Sequence, residues 1–185
     1  MSKAPHPNDL WVFGYGSLMW RPGFSFLERR LARLHGYHRA FCVFSHVHRG
    51  TPDKPGLVFG LDRGGSCRGI AYRVASIEAE AVKEYLRERE QVTMIYREVV
   101  LPLRLLDGAL ETVAAVTFLV DRAHVQYAGK LGFEDQVRLI VAGEGQSGRN
   151  PDYLANMVRH LREMGIRDDG LERLWQAVEA GLAAG

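Results

Sequence analysis

Cysteine is scarce in this chain: Cys42 and Cys67 are the only two among 185 residues. Both lie in apolar, strand-like surroundings. Two thiols cannot build the disulfide framework of a small secreted domain, and these two lack the paired spacing of a zinc site. We therefore predict a reducing, cytoplasmic location.

Long apolar runs are also lacking. The N-terminus has no charged segment followed by an apolar stretch, as a secretory leader would, and no stretch approaches membrane-spanning length. Residues 1–9 contain two prolines and are expected to form a loose tail. A membrane partner is not expected.

The chain has no excess charge of one sign. Lysine and arginine total 24 against 22 for aspartate and glutamate, a formal charge of +2. A nucleic-acid-binding protein would show a concentrated basic face, so no nucleic-acid partner is expected. One basic stretch in the first third is interpreted as a solvated surface. It comprises Arg29, Arg30, Arg33, His35, His38 and Arg39.

No repeat, low-complexity segment or linker divides residues 1–185, and the 46% hydrophobic content is enough for the core of one domain. Strands are predicted at Leu10 to Phe13 and within 34–45. A hairpin is predicted between 57–61 and 67–74 around Gly64-Gly65. Another is predicted between 97–106 and 111–120, turning at Asp107-Gly108.

A helix is predicted between the two hairpins, and further helices at the end of the chain. Ser76 is the expected N-cap of the first helix. Its apolar stripe would contain Ile77, Ala81, Val82, Tyr85 and Leu86. Later helices are indicated near 133–141, 150–161 and 171–178, with Asn150 as an N-cap before Pro151 and Gly165 as a stop. Tight hairpins without repeated strand–helix–strand crossovers predict an α+β fold, a small curled mixed or antiparallel sheet or barrel with flanking helices.

The most informative segment is Val-Phe-Gly-Tyr-Gly-Ser-Leu-Met-Trp-Arg-Pro at residues 12–22. Glycines on both sides of Tyr15 permit a tight turn whose backbone N–H groups another group can approach closely. Such a loop at a strand end is a plausible cradle for a carboxylate or a developing oxyanion, and an ordinary tight turn is the alternative. It lacks the Lys-Ser/Thr ending of a P-loop and the three-glycine spacing of a dinucleotide site, so a nucleotide is not expected.

Charged residues cluster at the end of the first predicted helix. Arg89 would project into the apolar stripe and must therefore be paired or reach solvent. Helical periodicity does not decide whether Glu88 or Glu90 is the functional carboxylate. Elsewhere, His46 and His48 share a strand face but have no third ligand, so a metal is not expected. Ser17 lacks the Gly-x-Ser-x-Gly context of a nucleophile.

Five segments together resemble the ChaC-type γ-glutamylcyclotransferase family. They are the loop Phe13 to Pro22, His48-Arg49-Gly50-Thr51-Pro52 with Pro55-Gly56, Cys67-Arg68-Gly69-Ile70-Ala71-Tyr72, Tyr85-Leu86-x-x-Arg89-Glu90, and Gly145-x-Ser147-Gly148-x-Asn150-x-x-Tyr153-Leu154. They occur in the family's order. Arg68 stands where the family has Trp, and Leu57 where an Arg is common.

This resemblance implies cleavage of glutathione, or a close γ-glutamyl compound, into 5-oxoproline and cysteinylglycine, with no cofactor or metal. It assigns Glu90 as the essential carboxylate. Tyr15, Gly16, Ser17 and Leu18 would bind substrate, with Arg49 and Tyr127 as further contributors. Two alternatives stay open: a cyclotransferase for other γ-glutamyl amines or amino acids, and a non-catalytic glutathione-binding regulatory protein.

Overall fold

Five strands form a closed barrel in the computed structural model, which describes residues 6–91, 93–109 and 111–184. They are β1 (Leu10–Gly14), β2 (Glu28–Ser45), β3 (Gly56–Val74), β4 (Tyr96–Leu105) and β5 (Thr112–Val120). Their order around the barrel is β1-β3-β2-β4-β5. Strand β1 pairs antiparallel with β3 and parallel with β5, so the sheet is mixed. This confirms the predicted α+β class with a curled mixed sheet.

Four helices accompany the strands. They are α1 (Ala79–Glu90), α2 (Phe133–Ala142), α3 (Asn150–Glu163) and α4 (Asp169–Ala183). Two short strands, β6 (Glu144–Gly145) and β7 (Gly148–Arg149), pair with each other before α3. Gly165 has a φ of 67°, which suits the predicted stop after α3. In the described part of the chain, no helix combines the length and apolarity needed to cross a membrane.

The chain divides into two compact units. The first contains residues up to Arg39 together with Leu61–Asp121, and therefore β1, α1, β4 and β5. The second contains Ala40–Gly60 and the residues from Arg122 onward, and therefore α2, α3 and α4. The long strands β2 and β3 contribute residues to both. The single domain over residues 1–185 stays a prediction.

A buried ion pair anchors the start of β1 within the first unit. Arg73 on β3 is 1% exposed, and it donates hydrogen bonds to Asp9 at 2.7 Å and to Glu28 at 3.0 Å. Burial acts to raise the pKa of Asp9. Hydrogen bonds from the His6 amide, Arg73 and the Ser76 amide outweigh it and lower that pKa. Asp9 ends the segment that was expected to be a loose tail, and it is held in place.

The predicted hairpin around Gly64-Gly65 is wrong. Residues Gly56–Val74 form one long strand, and Gly64 and Gly65 lie inside it with φ values of 101° and 68°. Left-handed glycines therefore occur within this strand instead of closing a turn between two strands. The second hairpin is confirmed, since β4 and β5 pair antiparallel and Gly108 has a φ of 70°.

Two predicted N-caps are also wrong. Ser76 begins a 3₁₀ turn, and α1 starts at Ala79 without a side-chain cap; Ile77 is accordingly 93% exposed while Leu86 is fully buried. The Asn150 side chain does not cap α3. It accepts from the Leu57 amide at 2.7 Å and donates to the Leu57 carbonyl at 2.8 Å, because a buried amide needs both partners.

Candidate active site

The loop after β1 folds back over its own start. Strand β1 ends at Gly14, where an added Cβ would lie 3.0 Å from the Leu18 Cβ. A 3₁₀ turn follows at Ser17–Met19: the Gly16 carbonyl accepts from the Met19 amide at 2.9 Å. The Ser17 carbonyl accepts from the amide of Arg21 at 2.8 Å. The turn therefore uses the loop's carbonyls as acceptors. We call residues 14–22 the glycine loop.

Three consecutive amides of the glycine loop remain available. Within the described residues, the N–H groups of Gly16, Ser17 and Leu18 donate no hydrogen bond. Successive free backbone donors in a turn form a concavity suited to an anion. These residues are those that the sequence predicted as a cradle.

Glu90 is the last residue of α1. Its side chain is only 20% exposed. Burial raises the pKa of this carboxyl, because the charged form loses hydration, and the nearby Arg89 opposes that shift without cancelling it. Glu88 is exposed instead. Of the two glutamates that periodicity left open, Glu90 is therefore the one whose carboxyl is partly buried and holds its proton more tightly.

Arg89 connects the end of α1 with the glycine loop. Its Nη2 donates to the Ser17 Oγ at 2.8 Å, and its Nη1 donates to the Arg21 carbonyl at 2.6 Å and to the Tyr85 hydroxyl at 3.0 Å. Its Nε lies 3.4 Å from Oε1 of Glu90. One guanidinium thus contacts both the Ser17 hydroxyl and the Glu90 carboxylate, so Arg89 links the carboxylate to the glycine loop.

Sequence reasoning missed a second arginine at this loop. Arg39 on β2 donates from Nε to the Tyr15 carbonyl at 2.7 Å and from Nη2 to the Arg68 carbonyl at 2.6 Å. It was included in the basic stretch interpreted as solvated surface. For Arg39 that interpretation is wrong, because its side-chain donors bind backbone within the first unit. No local pattern signals this, since β2 and the loop are far apart in sequence.

Arg49 and Tyr127 belong to the second unit. Arg49 donates to the Ser147 carbonyl at 2.6 Å, and its guanidinium lies 5.3 Å from the centre of the Tyr153 ring. Tyr127 forms an isolated bridge with Val43. These contacts organise the second unit. The predicted substrate-binding role of both residues stays a prediction.

Within the described residues, no group of three or more histidine, cysteine, aspartate or glutamate side chains is arranged to hold a metal ion. The His48 Nδ1 lies 3.0 Å from the Ser147 Oγ. Cys42 and Cys67 are buried thiols. The guanidinium groups of Arg39 and Arg89 bond the glycine loop, and the Glu90 carboxylate contacts Arg89.

The chain resembles known proteins over most of its length. The model of the ChaC-like protein family matches residues 10–181. The chain is 37% identical to the glutathione-specific gamma-glutamylcyclotransferase of Escherichia coli K12, over 99% of this chain and 78% of the relative. It is 33% identical to gamma-glutamylcyclotransferase 2-3 of Arabidopsis thaliana, over 86% and 83%.

A solved structure shares the fold. The crystal structure of a glutathione-specific gamma-glutamyl cyclotransferase from yeast superposes with a TM-score of 0.82, at 23% identity, covering 93% of this chain and 96% of that one. At this identity the likeness concerns the fold.

Proposed function

The chain belongs to the ChaC-like family, and we propose that it is a γ-glutamylcyclotransferase that cleaves glutathione into 5-oxoproline and cysteinylglycine. The name of the Escherichia coli relative, a glutathione-specific gamma-glutamylcyclotransferase, supports the choice of substrate. The observation that carries the proposal is the contact of one guanidinium, that of Arg89, with both the Glu90 carboxylate and the Ser17 hydroxyl.

The reaction needs little beyond shape and proton transfer. In glutathione the α-amine and the γ-carbonyl are on one flexible chain. When the amine nitrogen bonds to the γ-carbon, a five-membered lactam closes and the bond to the cysteinyl nitrogen breaks. The α-ammonium nitrogen loses two protons and the departing cysteinyl nitrogen gains two, so the step balances without water. The first of these protons must leave before the amine can attack. Holding the chain in its attacking shape supplies much of the rate.

Glu90 is proposed as the group that carries these protons, first as base and then as acid. A solvated glutamate has a pKa of about 4.3, against about 8 for an amine, and this mismatch costs about 5 kcal/mol. Each unit by which burial raises the pKa of Glu90 recovers about 1.4 kcal/mol of that cost. The partial burial of Glu90 therefore suits the role.

The amides of Gly16, Ser17 and Leu18 are proposed to receive the oxyanion that develops on the γ-carbonyl oxygen, or to orient the substrate carboxylate. They have no competing acceptor within the described residues. Preorganised N–H donors stabilise developing charge without reorganising during the reaction.

Glu90→Gln tests the assignment of the carboxylate. The amide keeps the shape of the side chain but cannot take the proton, so turnover should fall by about 10²-fold or more while substrate affinity changes little. Release of 5-oxoproline and cysteinylglycine from reduced glutathione is measured by chromatography, and glutathione binding by calorimetry.

Glu88→Gln is the matched control, because Glu88 is exposed on the same helix. It should retain the wild-type rate. A Glu90→Gln protein that kept more than a few per cent of wild-type turnover would overturn the role of Glu90. Wild-type protein that bound glutathione without releasing product would instead support the regulatory alternative. If 5-oxoproline were released faster from γ-glutamyl-alanine or γ-glutamyl-lysine than from glutathione, the enzyme would be a cyclotransferase for other γ-glutamyl amines or amino acids.

A further inference from the structure

A side chain from another strand holds the Tyr15 peptide of the glycine loop. The Arg39 Nε donates to the Tyr15 carbonyl at 2.7 Å, while the Nη2 of the same guanidinium donates to the Arg68 carbonyl at 2.6 Å. Arg39 therefore fixes the first bend of the loop against β3. The rigid fork of an arginine allows both bonds at once, which a lysine ammonium cannot reproduce with the same geometry.

Fixing this carbonyl also fixes the next amide. The Tyr15 C=O and the Gly16 N–H belong to one planar trans peptide and point in opposite directions. A bond from Arg39 to the carbonyl therefore directs the Gly16 N–H away from Arg39. That N–H has no acceptor among the described residues, so no hydrogen bond of its own competes with this orientation.

The other end of the turn is held separately. Arg89 donates to the Ser17 hydroxyl at 2.8 Å and to the Arg21 carbonyl at 2.6 Å. The free amides of Gly16, Ser17 and Leu18 thus lie in a segment restrained at both ends by guanidinium groups. Glycine at 14 and 16 makes that restraint necessary, because glycine leaves the backbone unusually free.

We propose that Arg39 is a positioning residue that sets the direction of the Gly16 amide for the reaction through the Tyr15 peptide. This proposal rests on the proposed function. Arg39 acts on the turn and not on the substrate itself. An amide that meets charge developing in the transition state affects kcat more than KM.

Arg39→Met is the test variant, and Arg39→Lys is the conservative one. Removing an oxyanion donor costs about 10²- to 10³-fold in kcat, and a misdirected donor should cost part of that. We expect kcat to fall at least about tenfold in Arg39→Met with KM within about twofold, and Arg39→Lys to lie between it and the wild type. Added guanidinium ion at low, non-denaturing concentration should restore part of the Arg39→Met rate, whereas urea should not.

Arg33→Met is the matched control. Arg33 lies on the same strand, opposite Arg104 of β4, and bonds no part of the glycine loop within the described residues. It should keep the wild-type kcat. If Arg39→Met kept kcat per folded molecule within twofold of the wild type, whatever its melting temperature, the proposal would fail. A rise in KM with unchanged kcat would also overturn it.

A second measurement is independent of activity. Nuclear magnetic resonance of ¹⁵N-labelled protein should show a displaced Gly16 amide resonance and faster Gly16 hydrogen exchange in Arg39→Met, and neither change in Arg33→Met. An unmoved Gly16 resonance would reject the positioning role even if the wild type proved inactive on glutathione. If the Gly16 resonance moved in Arg39→Met but the wild type did not act on glutathione, the proposed function would be wrong, whereas the restraint of the Gly16 amide by Arg39 would stand.

Discussion

At the scale of single residues, the partial burial of the Glu90 carboxyl lowers the stability of the folded protein once that carboxyl is charged. Burial raises its pKa, so the folded protein holds the proton more tightly than the unfolded chain, whose ordinary value is 4.5. As pH rises from that value through the raised pKa, the folded state must bury a charge and loses stability. At pH values above both the unfolded and the folded pKa of Glu90, the full loss of stability is present.

Glu90→Gln should therefore unfold at a higher temperature than the wild type at pH 8, even though we expect it to lose turnover. The difference should shrink as the pH falls and vanish below about 4, where the carboxyl is protonated in both states. Thermal melting across this pH range measures it, with Glu88→Gln as the variant that should show no such trend. A Glu90→Gln protein less stable than the wild type at pH 8 would show that the carboxylate is stabilised where it lies.

The residues of the site differ in how far sequence could predict them. Tyr15, Ser17 and Glu90 lie in short local motifs, so the family resemblance could assign them, although periodicity alone left Glu88 and Glu90 open. Arg39 was misread because its partners, the carbonyls of Tyr15 and Arg68, are distant in sequence. The local sequence of a strand does not distinguish an arginine whose guanidinium is hydrated from one whose guanidinium binds backbone carbonyls.

At the scale of elements, local sequence signals predicted most helix and strand boundaries. They failed where the same residue type occurs in two structural settings. Asp107-Gly108 and Gly64-Gly65 are both turn signals, but only the first closes a hairpin. The hydrophobic periodicity of α2 to α4 gave their positions. Asn150 stands beside Pro151 as an N-cap would, yet its amide binds β3.

The two hydrogen bonds between Asn150 and Leu57 predict that stability is sensitive to substitution of Asn150. Asn150 is fully buried, and its side chain satisfies both the amide and the carbonyl of Leu57. Asn150→Ala leaves both groups buried without partners and should cost about 2–5 kcal/mol of the free energy of unfolding. Asn150→Asp should be at least as damaging at neutral pH, because it sets a carboxylate oxygen against the Leu57 carbonyl.

Urea unfolding at pH 7 measures both variants. Asp152→Asn, at an exposed position two residues further along α3, is the control and should change the free energy of unfolding by less than about 1 kcal/mol. If Asn150→Ala cost no more than this control, the buried amide would not hold α3 to the strand.

At the scale of the whole molecule, the barrel depends on a buried cation that joins distant parts of the chain. Arg73 lies near the end of β3, opposite Trp11 near the start of β1. It bonds Asp9 before β1 and Glu28 at the start of β2. Asp9 in turn accepts from the amide of Ser76, ahead of α1, at 3.1 Å. The ion pairs of Arg73 and the bond from Ser76 thus connect the chain just before β1, the start of β2 and the chain just before α1.

Asp9→Asn should cost about 3 kcal/mol of the free energy of unfolding at pH 7, because breaking a buried pair leaves the charge of Arg73 poorly compensated. For a chain of this size that is a fall of roughly 6–12 °C in melting temperature. Arg73→Met added to Asp9→Asn should recover part of the loss, since it removes the buried charge. The exposed Asp53→Asn is the control and should leave the melting temperature unchanged.

The pH dependence of the stability difference between the wild type and Asp9→Asn distinguishes a charge effect of this ion pair from a packing effect. The pKa of Asp9 is lowered in the folded protein, so the pair's contribution is complete above the unfolded value of 3.8 and is lost as the pH falls below it. The gap between wild type and Asp9→Asn should therefore narrow in acid. A gap that stayed constant down to pH 2, or a double variant as unstable as Asp9→Asn alone, would mean that shape and not charge holds β1 in the barrel.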